Sequence, residues 1–202
     1  NEMNALVEAA IADGTDGLVT QGVNPEAQMA AFEKLDEAGI PYCLVNSDAD
    51  QSNRLAFIGT GDTLGYVGAQ AILDYVGDEK VVFATALFNL SAPIAISLHE
   101  AYLSVLKDAP GGFEEVVVID TKSDQMTSAL MTYPEVNAGM NICGYGGLGA
   151  AQAQRELGYE PGDLAIVGID FAAETLDAIR EGYLIGTMTQ NFYRMGYEPV
   201  IW

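Results

Sequence analysis

Two polar residues, Asp170 and Gln190, stand where strand-like runs end late in the sequence. The apolar run Ala165–Ile169 leads into Asp170, and a second run, residues 184–189, leads into Gln190. In open α/β sheets, ligands bind in the crevice beyond the carboxyl ends of the strands. A carboxylate accepts hydrogen bonds, and an amide both accepts and donates them. These two side chains are therefore the first candidates for a ligand site.

The same placement recurs along the chain, since other strand-like runs also end in small or polar residues. Any one of them could simply cap the following helix or hold a turn. As a set they carry more information, because right-handed βαβ connections bring the carboxyl ends of such strands to one side of their sheet. The six strand-end residues are Gln21, Asn46, Asp120, Cys143, Asp170 and Gln190.

A glycine motif supplies an alternative chemistry. Gly144, Gly146 and Gly149 form GxGxxG after a short strand and before a helix, and Asp170 follows about 20 residues later, as in a dinucleotide-binding fingerprint. A pyrophosphate would then lie on the helix N-terminus, with Asp170 on a ribose hydroxyl. The preceding strand is short and contains Asn141. This short strand argues against a dinucleotide site, so we expect neither an enzyme nor a cofactor. An NAD-dependent oxidoreductase is kept as the alternative.

Other reactive groups are weakly indicated. Asp48 and Asp50 lie in one loop without a third candidate ligand, so we expect solvated carboxylates and no metal site. Cys43 and Cys143 each fall in or at the end of an apolar run, which favours buried free thiols over a disulfide. Serine-nucleophile and P-loop signatures are missing from the sequence.

Strands and helices must alternate to position these residues. Apolar runs alternate with helical patterns along the chain, and Asn24 with Pro25 forms an N-cap and first-turn pair. This alternation predicts an α/β fold with mainly parallel sheets covered by helices on both faces. Predicted strands are residues 17–20, 42–45, 55–60, 81–86, 116–120, 141–143, 165–169 and 184–189, and the longer predicted helices are residues 25–38, 63–76 and 95–106.

Composition excludes some partners. The 202 residues carry 29 Asp and Glu against 8 Lys and Arg, a formal net charge of -21. Such a surface repels phosphate backbones and anionic lipid, so we expect no nucleic-acid binding by this chain.

Several long segments resemble the periplasmic sugar-binding proteins of ABC transporters, which share their fold with the effector domains of LacI-type repressors. The resemblance rests on AAIADGTDGLVTQGVNPEA, AGIPYCLVNSDAD, RLAFIGTGDTLGYVGAQAI and LAIVGIDFAAETLDAIREGYLIGTMTQNFYRMGY, and it covers almost the whole chain. It implies a two-lobed type I periplasmic-binding-protein fold with ligand in the cleft between the lobes. Lobe limits are then 1–60 and 61–188, with 189–202 crossing back. The first βαβ elements are expected to be missing, and the chain to be truncated at both ends.

Carried over by position, Asp170 matches a strand-end aspartate that accepts hydrogen bonds from ligand hydroxyls. Gln190 matches a glutamine at the last hinge crossing, and Asn46 and Ser47 match positions that bind sugar. The expected ligand-binding residues are Asn46, Ser47, Cys143, Gly144, Asp170 and Gln190.

The chain also departs from this pattern. Leu98 stands where the family commonly has an arginine that reaches the ligand. We expect the adjacent His99 to face solvent or pack on a helix, with a ligand contact as the alternative. Ala101-Tyr102 replaces a Gly-Phe pair, and Cys143-Gly144 replaces Asn-Asp.

The resemblance implies a solute-binding protein that binds a sugar or sugar-like polyol by hinge closure, without covalent chemistry. It implies an ABC transporter permease as partner, a monomer, and an extracytoplasmic location, in the periplasm or lipid-anchored at the cell surface. The ligand-sensing effector domain of a LacI-type regulator is the alternative.

Overall fold

The computed structural model describes residues 2–89, 92–120, 123–142 and 146–201. Helices and strands alternate throughout these ranges, as the sequence pattern predicts. The helices are α1 (Glu2–Ala12), α2 (Pro25–Ala38), α3 (Gly61–Val76), α4 (Pro93–Leu106), α5 (Ser123–Thr132), α6 (Gly146–Leu157), α7 (Ala173–Arg180) and α8 (Phe192–Ile201). The strands are β1 (Leu18–Thr20), β2 (Tyr42–Val45), β3 (Ala56–Ile58), β4 (Val81–Leu87), β5 (Phe113–Asp120), β6 (Ala138–Ile142), β7 (Ala165–Ile169) and β8 (Gly186–Met188). Among the described helices, none combines the length and apolar character needed to cross a membrane.

The described residues form two compact units. Unit 1 comprises residues 2–61, 92–94 and 191–201, and unit 2 comprises residues 62–89 and 95–190. Every strand pairing found in either sheet is parallel. The predicted fold class, α/β with parallel sheets flanked by helices, is confirmed.

Unit 1 is built on a three-stranded sheet in the order β1-β2-β3. Its main core packs residues of α1 and α2 on the sheet, with Phe32 stacked on Tyr42 at a centroid distance of 5.3 Å. A second cluster joins Cys43 and Ile58 to Met195 of α8. Cys43 is a buried free thiol, as predicted.

Helix α2 shows how local sequence fixes this unit. The Asn24 side chain accepts a hydrogen bond from the Ala27 N–H at the first turn, and Pro25 begins the helix. Gly39 ends it at φ 67°, a left-handed conformation that glycine adopts without steric cost.

Unit 2 contains a five-stranded sheet in the order β5-β4-β6-β7-β8. One face packs on α5, α6 and α7 through a large apolar cluster that includes Leu130, Ala151 and Ala178. On the other face, fully buried Tyr102 of α4 stacks on Phe83 of β4 at 6.1 Å. A Cβ on Gly68 of α3 would lie 2.0 Å from the Tyr102 hydroxyl oxygen, so glycine is required there.

The last two elements differ from their predictions. The strand expected over residues 184–189 is limited to Gly186–Met188, because the Leu184 N–H bonds to the Ala178 carbonyl instead of joining the sheet. Residues 192–201, expected only as a crossing segment, form α8 and pack on β2 and β3.

Candidate functional site

Asp170 follows β7 directly and holds a strained backbone conformation. Its φ is 70°, and Asp170 and Asn46 are the two non-glycine residues with positive φ in the described ranges. Its N–H donates to the Met188 carbonyl across 2.8 Å, and its carbonyl accepts from the Thr187 hydroxyl across 2.6 Å. Left-handed geometry is uncommon in non-glycine residues, although aspartate and asparagine adopt it more readily than most, and such residues cluster at binding sites.

The Asp170 carboxylate carries one of the unpaired buried polar atoms of unit 2. Its Oδ1 atom is buried and finds no hydrogen-bond partner within the described ranges. Burial raises the pKa of Asp170, because it removes water from the charged form. Buried acceptors in folded proteins nearly always have a partner, so this atom is available to a ligand.

Two neighbouring strands contribute further unpaired atoms. Asn141 lies in β6, next to β7, and its Nδ2 atom is buried without a partner in the described structure. Gln190 follows β8, on the other side of β7, and its Oε1 atom is in the same state. Asn141 follows Met140, which pairs with Val167, so these groups lie on, or just beyond, the carboxyl-terminal halves of three neighbouring strands.

Unit 1 repeats this arrangement on a smaller scale. Asn46 follows β2 with φ 64°, and its N–H donates to the Ile58 carbonyl across 3.1 Å. Its Oδ1 atom and the Oγ1 atom of Thr60, just beyond β3, are buried and unpaired in the described part of the chain. Val45 pairs with Ile58, so these residues follow neighbouring strands.

A hydrogen-bonded loop holds Asn46 in place. Ser47 is 1% exposed and donates its hydroxyl to the Gly22 carbonyl across 3.0 Å, and the Gly22 N–H donates to the Ser47 carbonyl across 2.8 Å. The Arg54 guanidinium pairs with the Asp48 carboxylate at 2.6 Å and donates to loop carbonyls. The ligand contact expected of Ser47 stays a prediction.

Leu98, Ala101 and Tyr102, which depart from the family pattern, belong to the core of unit 2. Leu98, at the expected arginine position, is 3% exposed and packs inside. His99 Nε2 lies 2.7 Å from Glu115 Oε1, which also accepts from the Thr85 hydroxyl across 2.5 Å. These contacts explain His99 structurally, and no ligand is needed to account for it.

Two of the predicted site residues, Cys143 and Gly144, lie outside the described residues, as does Tyr145 of the glycine motif. The structure adds Thr60 and Asn141, which sequence reasoning did not include in the site. The signal for Asn141 was an amide inside an otherwise apolar strand, MNIC. Within the described ranges, unit 2 offers two unpaired acceptors and an amide donor, and unit 1 offers an amide acceptor and a hydroxyl.

A family model for a periplasmic binding protein domain matches residues 1–200. The chain belongs to this family. The similar proteins of this family whose structures are known are binding proteins rather than enzymes.

Solved structures agree with the family at the level of the fold. A glucose-galactose binding protein, GanP from Geobacillus stearothermophilus, matches with a TM-score of 0.91 at 21% identity, over 98% of this chain and 72% of that one. A solute-binding protein from Burkholderia graminis, in complex with D-arabinose, gives 0.88 at 22% identity, over 98% and 71%. One from Bacillus halodurans, with bound myo-inositol, gives 0.88 at 22% identity, over 98% and 71%.

Proposed function

We propose that the protein is the solute-binding component of an ABC transporter and binds a small sugar or sugar-like polyol. The observation that carries this is Asp170, whose Oδ1 atom is buried and unpaired within the described ranges while its backbone is held at φ 70°. Family membership supplies the class of function. The named ligands of the similar structures, glucose-galactose, D-arabinose and myo-inositol, are all polyhydroxy compounds.

Hydroxyl groups complement the unpaired atoms. Donor groups of the ligand bind the Asp170 carboxylate and Gln190 Oε1. A ligand hydroxyl oxygen accepts from Asn141 Nδ2, so that polar groups without a partner in the described ranges gain one on binding. Binding of this kind involves no covalent step.

The two units correspond, in this proposal, to the two lobes of the family fold, with a permease as partner and an extracytoplasmic location. Hinge closure on ligand binding, which the resemblance implies, stays a prediction. Small-angle X-ray scattering with and without the bound sugar tests it.

A thermal-shift screen tests the ligand class. The panel is pentoses, hexoses, sugar alcohols, myo-inositol and NAD(H), because a ligand of the native state raises the melting temperature by mass action. We expect a polyol to raise it and NAD(H) to leave it unchanged. A shift with NAD(H) alone would favour the glycine motif and the oxidoreductase alternative.

Calorimetry with single variants then tests the site. Asp170→Ala should lower affinity for the identified polyol by about tenfold or more, since it removes a charged hydrogen-bond acceptor. Asp177→Ala is the matched control, because Asp177 is an exposed carboxylate of the same unit that pairs with Arg180. Asn46→Ala and Thr60→Val measure what unit 1 contributes. Equal affinity of wild type and Asp170→Ala would remove Asp170 from the site.

A further inference from the structure

Within the described ranges, no cation pairs with the Asp170 carboxylate. Burial raises the pKa of Asp170 by removing water from the carboxylate, and no described cation offsets this loss. A partly buried charge without a counter-charge is unfavourable, because attraction to a cation is what normally offsets desolvation. A cationic ligand would therefore supply the positive charge that the described residues do not.

The described cations are engaged elsewhere. Each described arginine forms an ion pair with a carboxylate other than Asp170, and His99 pairs with Glu115 on β5, at the far edge of the sheet from β8. The described lysines lie at exposed positions. The arginine pairs are Arg54–Asp48, Arg155–Glu181, Arg180–Asp177 and Arg194–Glu198.

The neighbours of Asp170 define the rest of the ligand. Gln190 Oε1, just beyond the adjacent strand β8, is a second acceptor without a partner in the described ranges. An ammonium group carries three donors and no acceptor. Asn141 Nδ2, on the other adjacent strand, is a donor and requires an acceptor such as a hydroxyl oxygen. A molecule with both an ammonium and hydroxyl groups satisfies all three atoms.

The charge of the whole chain acts in the same direction. With a formal net charge of -21, the protein attracts cations and repels anions over long range, which raises the association rate of a cationic ligand. A sugar acid or sugar phosphate would instead bring a negative charge to an uncompensated carboxylate.

Resting on the proposed function, we infer that the ligand is an amino sugar or amino polyol whose ammonium group binds the Asp170 carboxylate. The amine donates to Asp170 and Gln190, and a hydroxyl of the same molecule accepts from Asn141. A charged pair of this kind forms stronger hydrogen bonds than a neutral hydroxyl does.

The test compares matched sugars by calorimetry, at a pH below the pKa of the amine. The probes are D-glucosamine, D-galactosamine and D-mannosamine, each with its parent hexose, its N-acetyl derivative as an uncharged amide control, and D-gluconate as an anionic control. We expect at least one amino sugar to bind about tenfold or more tightly than its parent and its N-acetyl form, and gluconate not to bind.

Asp170→Asn separates charge from shape, because it keeps the size of the side chain and removes its charge. The preference for the amine over the parent hexose should fall to about twofold or less in this variant. If the preference survives in Asp170→Asn, the amine does not bind Asp170 and the inference is wrong.

The remaining outcomes distinguish this inference from the proposed function. A neutral sugar or myo-inositol that binds while all three amino sugars bind more weakly overturns the inference and leaves the proposed function standing. Failure of every amino sugar and every neutral polyol to bind overturns both.

Discussion

The Thr187 hydroxyl donates to the backbone carbonyl of Asp170 across 2.6 Å, and thereby fixes the residue whose carboxylate is assigned to the ligand. Thr187 lies in β8 and Asp170 directly follows β7, so the bond joins neighbouring strands at their carboxyl ends. The Asp170 N–H adds a second bond between them, to Met188. Two hydrogen bonds therefore hold the left-handed turn that orients the Asp170 side chain.

Thr187→Val should weaken both stability and binding. Valine has the shape of threonine but leaves the Asp170 carbonyl without its donor, which costs about 1 kcal/mol of unfolding free energy. Because the turn loses one of its two bonds, we also expect affinity for the ligand to fall. Urea unfolding and calorimetry measure the two effects.

Thr132→Val is the control for this change. Thr132 lies on α5 of the same unit and donates to the Ser128 carbonyl across 2.8 Å, in an exposed position. We expect little change in stability and unchanged affinity. A Thr187→Val variant with wild-type affinity would show that this bond does not orient the ligand contact.

Asp170→Asn should make the ligand-free protein more stable at neutral pH. Because burial raises the pKa of Asp170 in the folded state, the folded chain binds this proton more tightly than the unfolded chain does. The stability contributed by the protonated form is complete below the unfolded pKa and is lost as the pH rises through the folded pKa. An uncharged asparagine avoids that loss.

Thermal unfolding at two pH values checks the sign. The gain in melting temperature of Asp170→Asn over wild type should be present at pH ~7 and shrink towards pH ~3.5, near the unfolded pKa of aspartate. A variant less stable than wild type at neutral pH would mean that the carboxylate makes favourable contacts in the folded chain. Asp170→Asn is thus expected to gain stability and lose ligand affinity, which is the usual trade-off at a functional charge.

The strand-end placement of Asp170, Asn46 and Gln190 could be predicted, because apolar runs that end in a polar residue are visible in the sequence. The unpaired state of their side-chain atoms could not, since it depends on which neighbours approach each atom. Asn141 was not predicted as a site residue because it lies inside an apolar strand and not at its end. The pattern of such a strand favours a core residue.

Helix α8 could not be predicted from the sequence pattern either. Met195 is the residue of this helix that packs fully into unit 1, while Tyr193 and Tyr197 are exposed and stack on each other at 5.6 Å. One buried position gives little helical periodicity, and Pro199 inside the helix argues against it from sequence alone. Packing on β2 and β3 decides the conformation.

Glu115→Ala should destabilise unit 2 without changing ligand affinity. Glu115 accepts from the Thr85 hydroxyl and contacts His99, and both side chains of the His99–Glu115 pair are less than 20% exposed. Its loss leaves two buried polar groups unpaired, at a cost of about 1–3 kcal/mol. Denaturant unfolding measures the loss, and calorimetry with the identified ligand measures affinity.

The adjacent Glu114→Ala is the matched control. Glu114 pairs with Lys80, but both side chains are more than half exposed, and exposed ion pairs contribute about 0–1 kcal/mol. Weaker ligand binding by Glu115→Ala at unchanged stability would make His99 or Glu115 part of the site instead.

Gly22→Ala should disturb the loop that holds Asn46. A Cβ at Gly22 would lie 2.6 Å from the backbone carbonyl of Asp48 and 2.8 Å from the Ala49 nitrogen, and neither backbone atom can move aside easily. Relief of this clash must lengthen the reciprocal Gly22–Ser47 hydrogen bonds. We expect a loss of about 1–3 kcal/mol in unfolding free energy and, if Asn46 binds the ligand, a loss of affinity as well.

Gly196→Ala separates this steric effect from the general effect of replacing glycine in unit 1. Gly196 lies inside α8, and a Cβ there meets no atom within 4 Å. Alanine in a helix interior is favoured over glycine by about 1 kcal/mol, so this variant should be more stable than wild type. Urea unfolding measures the change in unfolding free energy of both variants. A loss for Gly22→Ala and a gain for Gly196→Ala would establish that glycine is required at position 22 because of contact with the residue 46–54 loop. Equal stability of Gly22→Ala and wild type would show that the loop can shift at no cost, and Asn46 would then lack the rigid support assigned to it.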